Sequence, residues 1–131
     1  MGVGKSPTAR VIVADDEPLI RWSISEALAR EGYHVEEAHN GARMLEHLEK
    51  ESEHDGLVLL DLKLPDCSDL SLLKMVRKRA PQWGVVLMTA HGTPELAEEA
   101  LALGALQVLN KPFDIHDIVR IVEDSLGRSS T

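Results

Sequence analysis

The stretch LVLLDLKLPD, residues 57–66, decides the fold class. It begins with four consecutive apolar residues, and the carboxylate of Asp61 follows them directly. A short continuous apolar run of this kind is typical of a strand that is buried on both faces of a parallel sheet. Two interpretations of Asp61 remain open at this point: a polar residue that marks the end of the strand, or a reactive group held at the edge of a sheet.

The bulk properties of the chain limit its class. A length of 131 residues is typical of one domain with a sizeable core. The net charge of −8 argues against direct binding of nucleic acid, because phosphate contacts need Lys and Arg. No apolar run approaches the roughly 20 residues that span a bilayer. The single cysteine, Cys67, cannot form an internal disulfide and fits a reducing cytoplasm.

The stretch at 57–66 is one of five similar units. Each apolar, strand-like segment is followed by a segment with helical spacing of its apolar residues. The pattern predicts strands over 10–14, 33–38, 56–61, 84–90 and 106–110. It predicts helices that start at Pro18 or after the caps Asn40, Asp69, Thr93 and Asp114, and that end near Gly32, Glu51, Arg79, Gly104 and Leu126.

Strict alternation with short connections predicts a doubly wound α/β fold, in which a parallel sheet carries helices on both faces. The segment at 33–38 alternates polar and apolar residues, which places it nearer the edge of the sheet. The domain is predicted to cover 9–127, after a flexible lead-in at 1–8 and before a linker or tail that starts at 128–131.

Ligands of such sheets bind beyond the carboxyl ends of the strands. The polar residues predicted at those ends are Asp15, Asp16, Asp61, Thr89 and Lys111. Taken singly, each has an ordinary explanation, as a helix-dipole acid, a turn residue, a strand-end hydroxyl or a solvated lysine. Their joint placement at one edge of four strands favours a functional site.

This set of residues suits phosphoryl transfer. Three carboxylates at one edge repel each other, and a hard divalent cation such as Mg²⁺ would relieve that repulsion. Lys111 and Thr89 supply a cation and a hydroxyl for phosphoryl oxygens. A carboxylate can act as the nucleophile and form an aspartyl phosphate. Asp61 is the best candidate because it ends the middle strand.

Four ordered motifs carry a resemblance to a known family. The segments VADDE (13–17), LLDLKLPD (59–66), MTAHG (88–92) and NKPFD (110–114) resemble the signature of response-regulator receiver domains, and the match covers about 10–126. The resemblance implies a flavodoxin-like (CheY-like) sheet with strand order 2-1-3-4-5 and five helices. It implies a phosphoacceptor signalling domain, not an enzyme, that assists its own phosphorylation and dephosphorylation.

The resemblance also assigns the metal site and the phosphoacceptor. Asp61 is expected to take a phosphoryl group from a sensor histidine kinase. Mg²⁺ is expected to be bound by Asp16, by Asp61, by the backbone carbonyl of Lys63, and by Asp15 either directly or through water.

Further family roles fall on the neighbouring strands. Thr89 and Lys111 are expected to contact the phosphoryl oxygens, and the bond between Lys111 and Pro112 is expected to be cis. The positions of Lys63 and His91 are those that tune the lifetime of the phosphate in the family.

This chain departs from the family pattern at two positions. Val108 stands where the family usually has an aromatic residue that swings inward on activation. Valine has few rotamers, so we expect switching to depend mainly on Thr89 and the loop at 90–94. Asp69 stands where glycine is common, and it is expected to cap the next helix.

A finer resemblance concerns the branch of the family. The segments RWSISEAL (21–28), MTAHG and NKPFDI are most similar to the receivers of nitrogen-regulatory (NtrC-like), sigma-54-dependent activators. That similarity implies an ATPase and a DNA-binding domain after the receiver. A stand-alone receiver that acts in a phosphorelay or through protein contacts is the alternative. A homodimer through helix 4, strand 5 and helix 5 is also expected, since Arg120 lies there among acids.

Three rival classes fit less well. Haloacid-dehalogenase-like phosphatases place a second Asp two residues after the nucleophile, where this chain has Lys63. A flavodoxin needs a phosphate loop after strand 1, and the acids of DDEPL would repel a phosphate. A degenerate receiver used only for docking would lack some of the site residues, whereas all five are present.

Overall fold

A computed structural model describes residues 9–51 and 53–127 of the chain; the predicted lead-in at 1–8 and tail at 128–131 lie outside this part. Strands and helices alternate throughout. The strands are β1 (Arg10–Ala14), β2 (His34–Ala38), β3 (Gly56–Asp61), β4 (Gly84–Thr89) and β5 (Gln107–Asn110). The helices are α1 (Pro18–Arg30), α2 (Gly41–Lys50), α3 (Ser71–Arg79), α4 (Pro94–Ala102) and α5 (Ile115–Ser125).

The five strands form one parallel sheet in the order β2-β1-β3-β4-β5. The predicted fold and strand order are therefore confirmed. All six residues of β3 are buried, which agrees with its place in the middle of the sheet. The two edge strands, β2 and β5, keep exposed residues, as the polar pattern of 33–38 predicted for β2.

The sheet separates two apolar cores. On one face α1 and α5 cover the strands, and the buried side chains are Val11, Val13, Ile24, Leu28, Leu57, Leu59, Val86, Met88, Ile118 and Val122. On the other face α2, α3 and α4 cover side chains of the alternate strand positions, among them Ile12, Val58, Leu60, Val85, Leu87, Met44, Leu48, Leu73, Val76 and Ala100. Burial on both faces explains the continuous apolar run of β3.

The predicted ends of the elements agree with the structure to within one or two residues. Asn40, Thr93 and Asp114 accept hydrogen bonds from the first turns of α2, α4 and α5, as caps should. Gly32 and Gly104 follow α1 and α4 with φ of 95° and 106°, a left-handed conformation that favours glycine.

The prediction that Asp69 caps α3 was wrong. The capping position is Leu70, and α3 begins at Ser71 without a side-chain cap. Asp69 lies one residue too early, and its Oδ1 accepts a hydrogen bond from the backbone N–H of Ser71 at 2.9 Å in a local turn. Its backbone is not left-handed either, because every described residue with positive φ is a glycine.

Among the described residues, no helix combines the length and the apolar character that a membrane span requires.

Candidate phosphoryl-transfer site

The register of the central strands brings two carboxylates together. Ala14 of β1 pairs with Leu60 of β3, so Asp15 leaves its strand beside Asp61. Both side chains are almost inaccessible, with 0% of Asp15 and 4% of Asp61 exposed. Asp15 is fixed further by its backbone N–H, which donates to the carbonyl of Ala38, and by its Oδ1, which accepts from the N–H of Glu17.

The other half of the sheet brings a cation to the same edge. Thr89 of β4 pairs with Asn110 of β5, and the backbone N–H of Lys111 donates to the Thr89 carbonyl at 2.8 Å. Lys111 therefore leaves β5 on the same side of the sheet as the carboxyl ends of β1 and β3. The bond between Lys111 and Pro112 is cis, as predicted.

The ammonium group of Lys111 lies among three carboxylates. Its Nζ is 3.0 Å from Oδ2 of Asp15, 2.9 Å from Oε1 of Glu17 and 3.2 Å from Oδ2 of Asp61. The other oxygen of Asp61 accepts a hydrogen bond from the backbone N–H of Lys63 at 3.1 Å. Both oxygens of Asp61 thus have a donor, one from each side.

The surroundings shift two pKa values upward. Burial raises the pKa of Asp61 above its ordinary 3.8, and the charge of Asp15 raises it further, although the Lys63 N–H and Lys111 act in the opposite direction. Burial alone would lower the pKa of Lys111, but its bonds to Glu17 and Asp15 and the charge of Asp61 outweigh burial and raise it. Lys111 is therefore a permanent cation at neutral pH.

Four acids lie close enough to share one ion. Asp15, Asp16, Glu17 and Asp61 each offer a carboxylate oxygen, and these oxygens lie within 4.8 Å of one another. Asp15 Oδ2 is buried, and the contact described for it is the one with Lys111, so this oxygen retains capacity for a further partner. An all-oxygen set without His or Cys suits Mg²⁺ better than zinc. The residues present therefore fit a magnesium site.

The remaining predicted residues lie around this cluster with different contacts. Thr89 is buried, and its hydroxyl accepts a hydrogen bond from the His91 N–H, so it is held toward the loop after β4. The side chains of Lys63 and His91 are exposed at the mouth of the site. A Cβ on Gly92 would overlap Oδ1 of Asn110, so this loop packs closely on the end of β5.

The sequence prediction left out one residue that contacts the site. Glu17 lies in the VADDE segment, and its carboxylate bonds to Lys111 across 94 positions of the chain. A third consecutive acid after β1 was the available signal. From the sequence alone, an acid directly before Pro18 is not distinguished from an ordinary acid at the start of a helix.

The raised pKa of Asp61 leads to a prediction about stability. Because the folded pKa lies above 3.8, the ionised form is less stable in the folded chain than in the unfolded one. We expect Asp61→Asn to raise the urea midpoint of the metal-free protein at neutral pH. The advantage should shrink as the pH falls through the raised pKa toward 3.8. Asp124→Asn, which changes an exposed acid, is the control and should leave the urea midpoint nearly unchanged. An Asp61→Asn variant less stable than wild type at neutral pH would refute the electrostatic account.

Comparison with known protein families identifies the class of the chain. The family model described as "Response regulator receiver domain" matches residues 11–123. The chain belongs to this family. Receiver domains are signalling domains of two-component systems, not classical enzymes.

Two of the relatives differ in how much of their length the chain covers. The DNA-binding transcriptional regulator NtrC of Escherichia coli strain K12 is 39% identical over 117 residues, which cover 89% of this chain and 24% of NtrC. The sporulation initiation phosphotransferase F of Bacillus subtilis is 36% identical over 121 residues, which cover 92% of this chain and 96% of that protein. The chain thus spans about a quarter of the length of its NtrC relatives and nearly all of the phosphotransferase.

Solved structures agree with this assignment. The signal receiver domain of the putative LuxO repressor protein from Vibrio parahaemolyticus superposes with a TM-score of 0.84 at 27% identity, covering 93% of this chain and 92% of that one.

Proposed function

We propose that Asp61 accepts a phosphoryl group from a sensor histidine kinase, with Mg²⁺ bound beside it, and that the phosphorylated domain controls an output in the cytoplasm. The observation that supports this best is the placement of Asp61. Its buried carboxylate lies between the Lys111 ammonium and the Lys63 N–H, inside a group of acids. A structural turn residue needs no such surroundings.

The reacting group is a carboxylate oxygen of Asp61. It forms a bond to phosphorus, while the bond from phosphorus to the imidazole nitrogen of the donor histidine breaks. Lys111, now 3.2 Å from Asp61, is placed to bond to an oxygen of the bound phosphoryl group. The same arrangement serves dephosphorylation, in which water attacks phosphorus, the bond from phosphorus to the Asp61 oxygen breaks and inorganic phosphate leaves. The domain thus assists both its own phosphorylation and its own dephosphorylation.

The metal ligands we propose are the carboxylates of Asp15, Asp16 and Asp61 and the backbone carbonyl of Lys63. The bound Mg²⁺ would supply positive charge beside the phosphoryl oxygens. Lys111 neutralises part of the acid cluster in the metal-free chain, and it is the residue that must adjust when a second cation arrives.

The switch that follows involves the ends of β4 and β5. The Thr89 hydroxyl, which now accepts from the His91 N–H, would move to donate to a phosphoryl oxygen and would pull on the loop at 90–94. Val108 is half-buried in the core under α4, where a short branched side chain has little room to reorient. We therefore expect little rotamer change at Val108, and we assign to the exposed Lys63 and His91 the tuning of the phosphate lifetime.

The similarity to NtrC supports an output through sigma-54-dependent transcription, with an ATPase and a DNA-binding domain in the full-length protein. The phosphotransferase of Bacillus subtilis, which this chain matches along 96% of its length, favours the second candidate, a stand-alone receiver in a phosphorelay. The mass of the protein expressed from the complete reading frame distinguishes the two candidates, because the first carries an ATPase and a DNA-binding domain and the second does not.

We also propose that the chain forms a homodimer through α4, β5 and α5. In the isolated chain Arg120 is paired with Asp117 of its own helix, at 2.5 Å between Nη2 and Oδ1. A dimer across this face would require Arg120 to exchange that partner for an acid of a second copy. Gel filtration with and without beryllofluoride measures the change in oligomeric state.

Phosphate uptake is the direct test. Wild-type protein incubated with acetyl phosphate and Mg²⁺ is expected to gain the mass of one phosphoryl group, and the gain should disappear with EDTA. Asp61→Asn is expected to take up none, because an amide lacks the nucleophilic oxygen. Asp69→Asn, which changes an exposed acid outside the cluster, is the matched control. No uptake by the wild type would refute the proposal.

A further inference from the structure

The loop that carries Lys63 is attached to a different part of the fold through Asp66. Oδ1 of Asp66 accepts a hydrogen bond from the N–H of Gly41 at 2.7 Å, and Oδ2 accepts from the N–H of Ala42 at 3.0 Å. These donors belong to the first turn of α2, whose N–H groups have no partner within the helix. The hydrogen bond from Gly41 lowers the pKa of Asp66, which keeps it ionised at neutral pH.

The attachment is close to the reacting carboxylate. Leu64 and Cys67 exchange two backbone hydrogen bonds, of 3.0 and 3.2 Å, and so close a tight turn with Pro65 and Asp66 at its tip. Lys63 directly precedes this turn, and its N–H bonds to Asp61. A displacement of the tip therefore reaches Lys63 through one buried residue, Leu64.

The turn packs closely against the first residue of α2. A Cβ on Gly41 would lie 2.7 Å from Cδ1 of Leu72 and 3.2 Å from Oδ1 of Asp66. The absence of a side chain at Gly41 thus permits the turn to approach the helix end. Asn40 caps the same helix from its own segment, by accepting from the N–H of Arg43 at 2.8 Å, and the side-chain hydrogen bonds described for it go to Arg43 and His39.

From this arrangement we propose that Asp66 is a positioning residue: by joining the turn to the N-terminus of α2, it fixes the Lys63 backbone at the metal and phosphoryl site. The inference rests on the proposed function of that site. The side-chain hydrogen bonds described for Asp66 go to Gly41 and Ala42 and not to any of the four clustered acids, so it acts on the site through the turn.

The comparison of Asp66→Ala with Asn40→Ala separates positioning from helix capping. Both changes weaken the same end of α2, but only the first frees the turn. We expect Asp66→Ala to move the amide proton resonance of Lys63 upfield in the metal-free protein, because the bond to Asp61 is loosened. We expect it to raise the Kd for Mg²⁺, measured by NMR titration with MgCl₂, by about tenfold, as changes behind metal ligands commonly do.

Asn40→Ala is expected to leave both readouts near their wild-type values. Asp66→Asn keeps one acceptor for the Gly41 N–H and places an amide group toward Ala42, so it should give intermediate values in a folded chain. Equal effects of the Asp66 and Asn40 variants, or an unchanged Lys63 resonance in Asp66→Ala, would overturn the inference. A wild-type protein that takes up no phosphoryl group would instead overturn the proposed function, and the Lys63 resonance would still report on the turn.

Discussion

Lys111→Met is expected to lower the free energy of unfolding of the metal-free protein by about 3 kcal/mol at neutral pH, because it leaves buried charges without their partner. The Lys111 ammonium lies within 3.2 Å of three carboxylates, and two of these, Asp15 and Asp61, are almost completely buried. Methionine preserves the length and apolar stem of the side chain and removes only the charge.

The pH dependence of this loss follows from the pKa shift of Lys111. Because its folded pKa is raised, its contribution is fully present below the ordinary value of 10.5 and disappears only at more alkaline pH. At acid pH the loss should shrink as well, since the carboxylates become protonated and no longer need a cation. Urea denaturation at several pH values measures both limbs.

Mg²⁺ should restore more stability to Lys111→Met than to the wild type. In the wild type the ammonium occupies part of the acid cluster and competes with a second cation, whereas the variant leaves the acids free to bind it. Lys78→Met on the exposed face of α3 is the matched control and should change stability by less than about 0.5 kcal/mol. A Lys111→Met variant as stable as wild type without Mg²⁺ would show that the acids do not depend on Lys111.

Leu59→Ala is expected to cost about 3 kcal/mol of stability, because it leaves a cavity that the surrounding structure fills only in part. Leu59 lies at the centre of β3 with none of its surface exposed, in the core formed with α1 and α5. Neighbouring strands pair with β3 on both sides, so backbone relaxation into the cavity is restricted.

Leu19→Ala is the matched control for this prediction. Leu19 is 78% exposed on α1, and its truncation should change the urea midpoint little. A loss below about 1 kcal/mol for Leu59→Ala would contradict the description of β3 as a rigid central strand, since even an Ile→Val change in a core commonly costs that much.

The sequence predicted the fold well because the decisive signals are local. The apolar run before Asp61 has no polar alternation, which is typical of a strand buried on both faces, and all six residues of β3 are buried. Asn40 and Thr93 predicted helix starts correctly since each side chain bonds to its own helix. The prediction for Asp69 failed because an acid in a turn and an acid that caps a helix have the same local sequence pattern.

Contacts between distant segments were not predictable in this way. The run of acids before Pro18 does not specify that Glu17 bonds to Lys111, and nothing near Asp66 indicates that it holds the first turn of α2. Both contacts depend on how the loops after β1 and β3 approach other elements. The carboxyl-end rule for parallel sheets predicted the edge where the site lies, but it does not specify which exposed acids around that edge take part.

The central claim is that the phosphoryl group is transferred to Asp61 itself. Reduction of the phosphorylated protein with borohydride converts an aspartyl phosphate to homoserine, and peptide mass spectrometry then locates the modified position. The account predicts homoserine at position 61, in a peptide that contains the LVLLDLKLPD segment, after treatment with acetyl phosphate and Mg²⁺. Homoserine at position 15 or 16 with an unmodified Asp61 would contradict it.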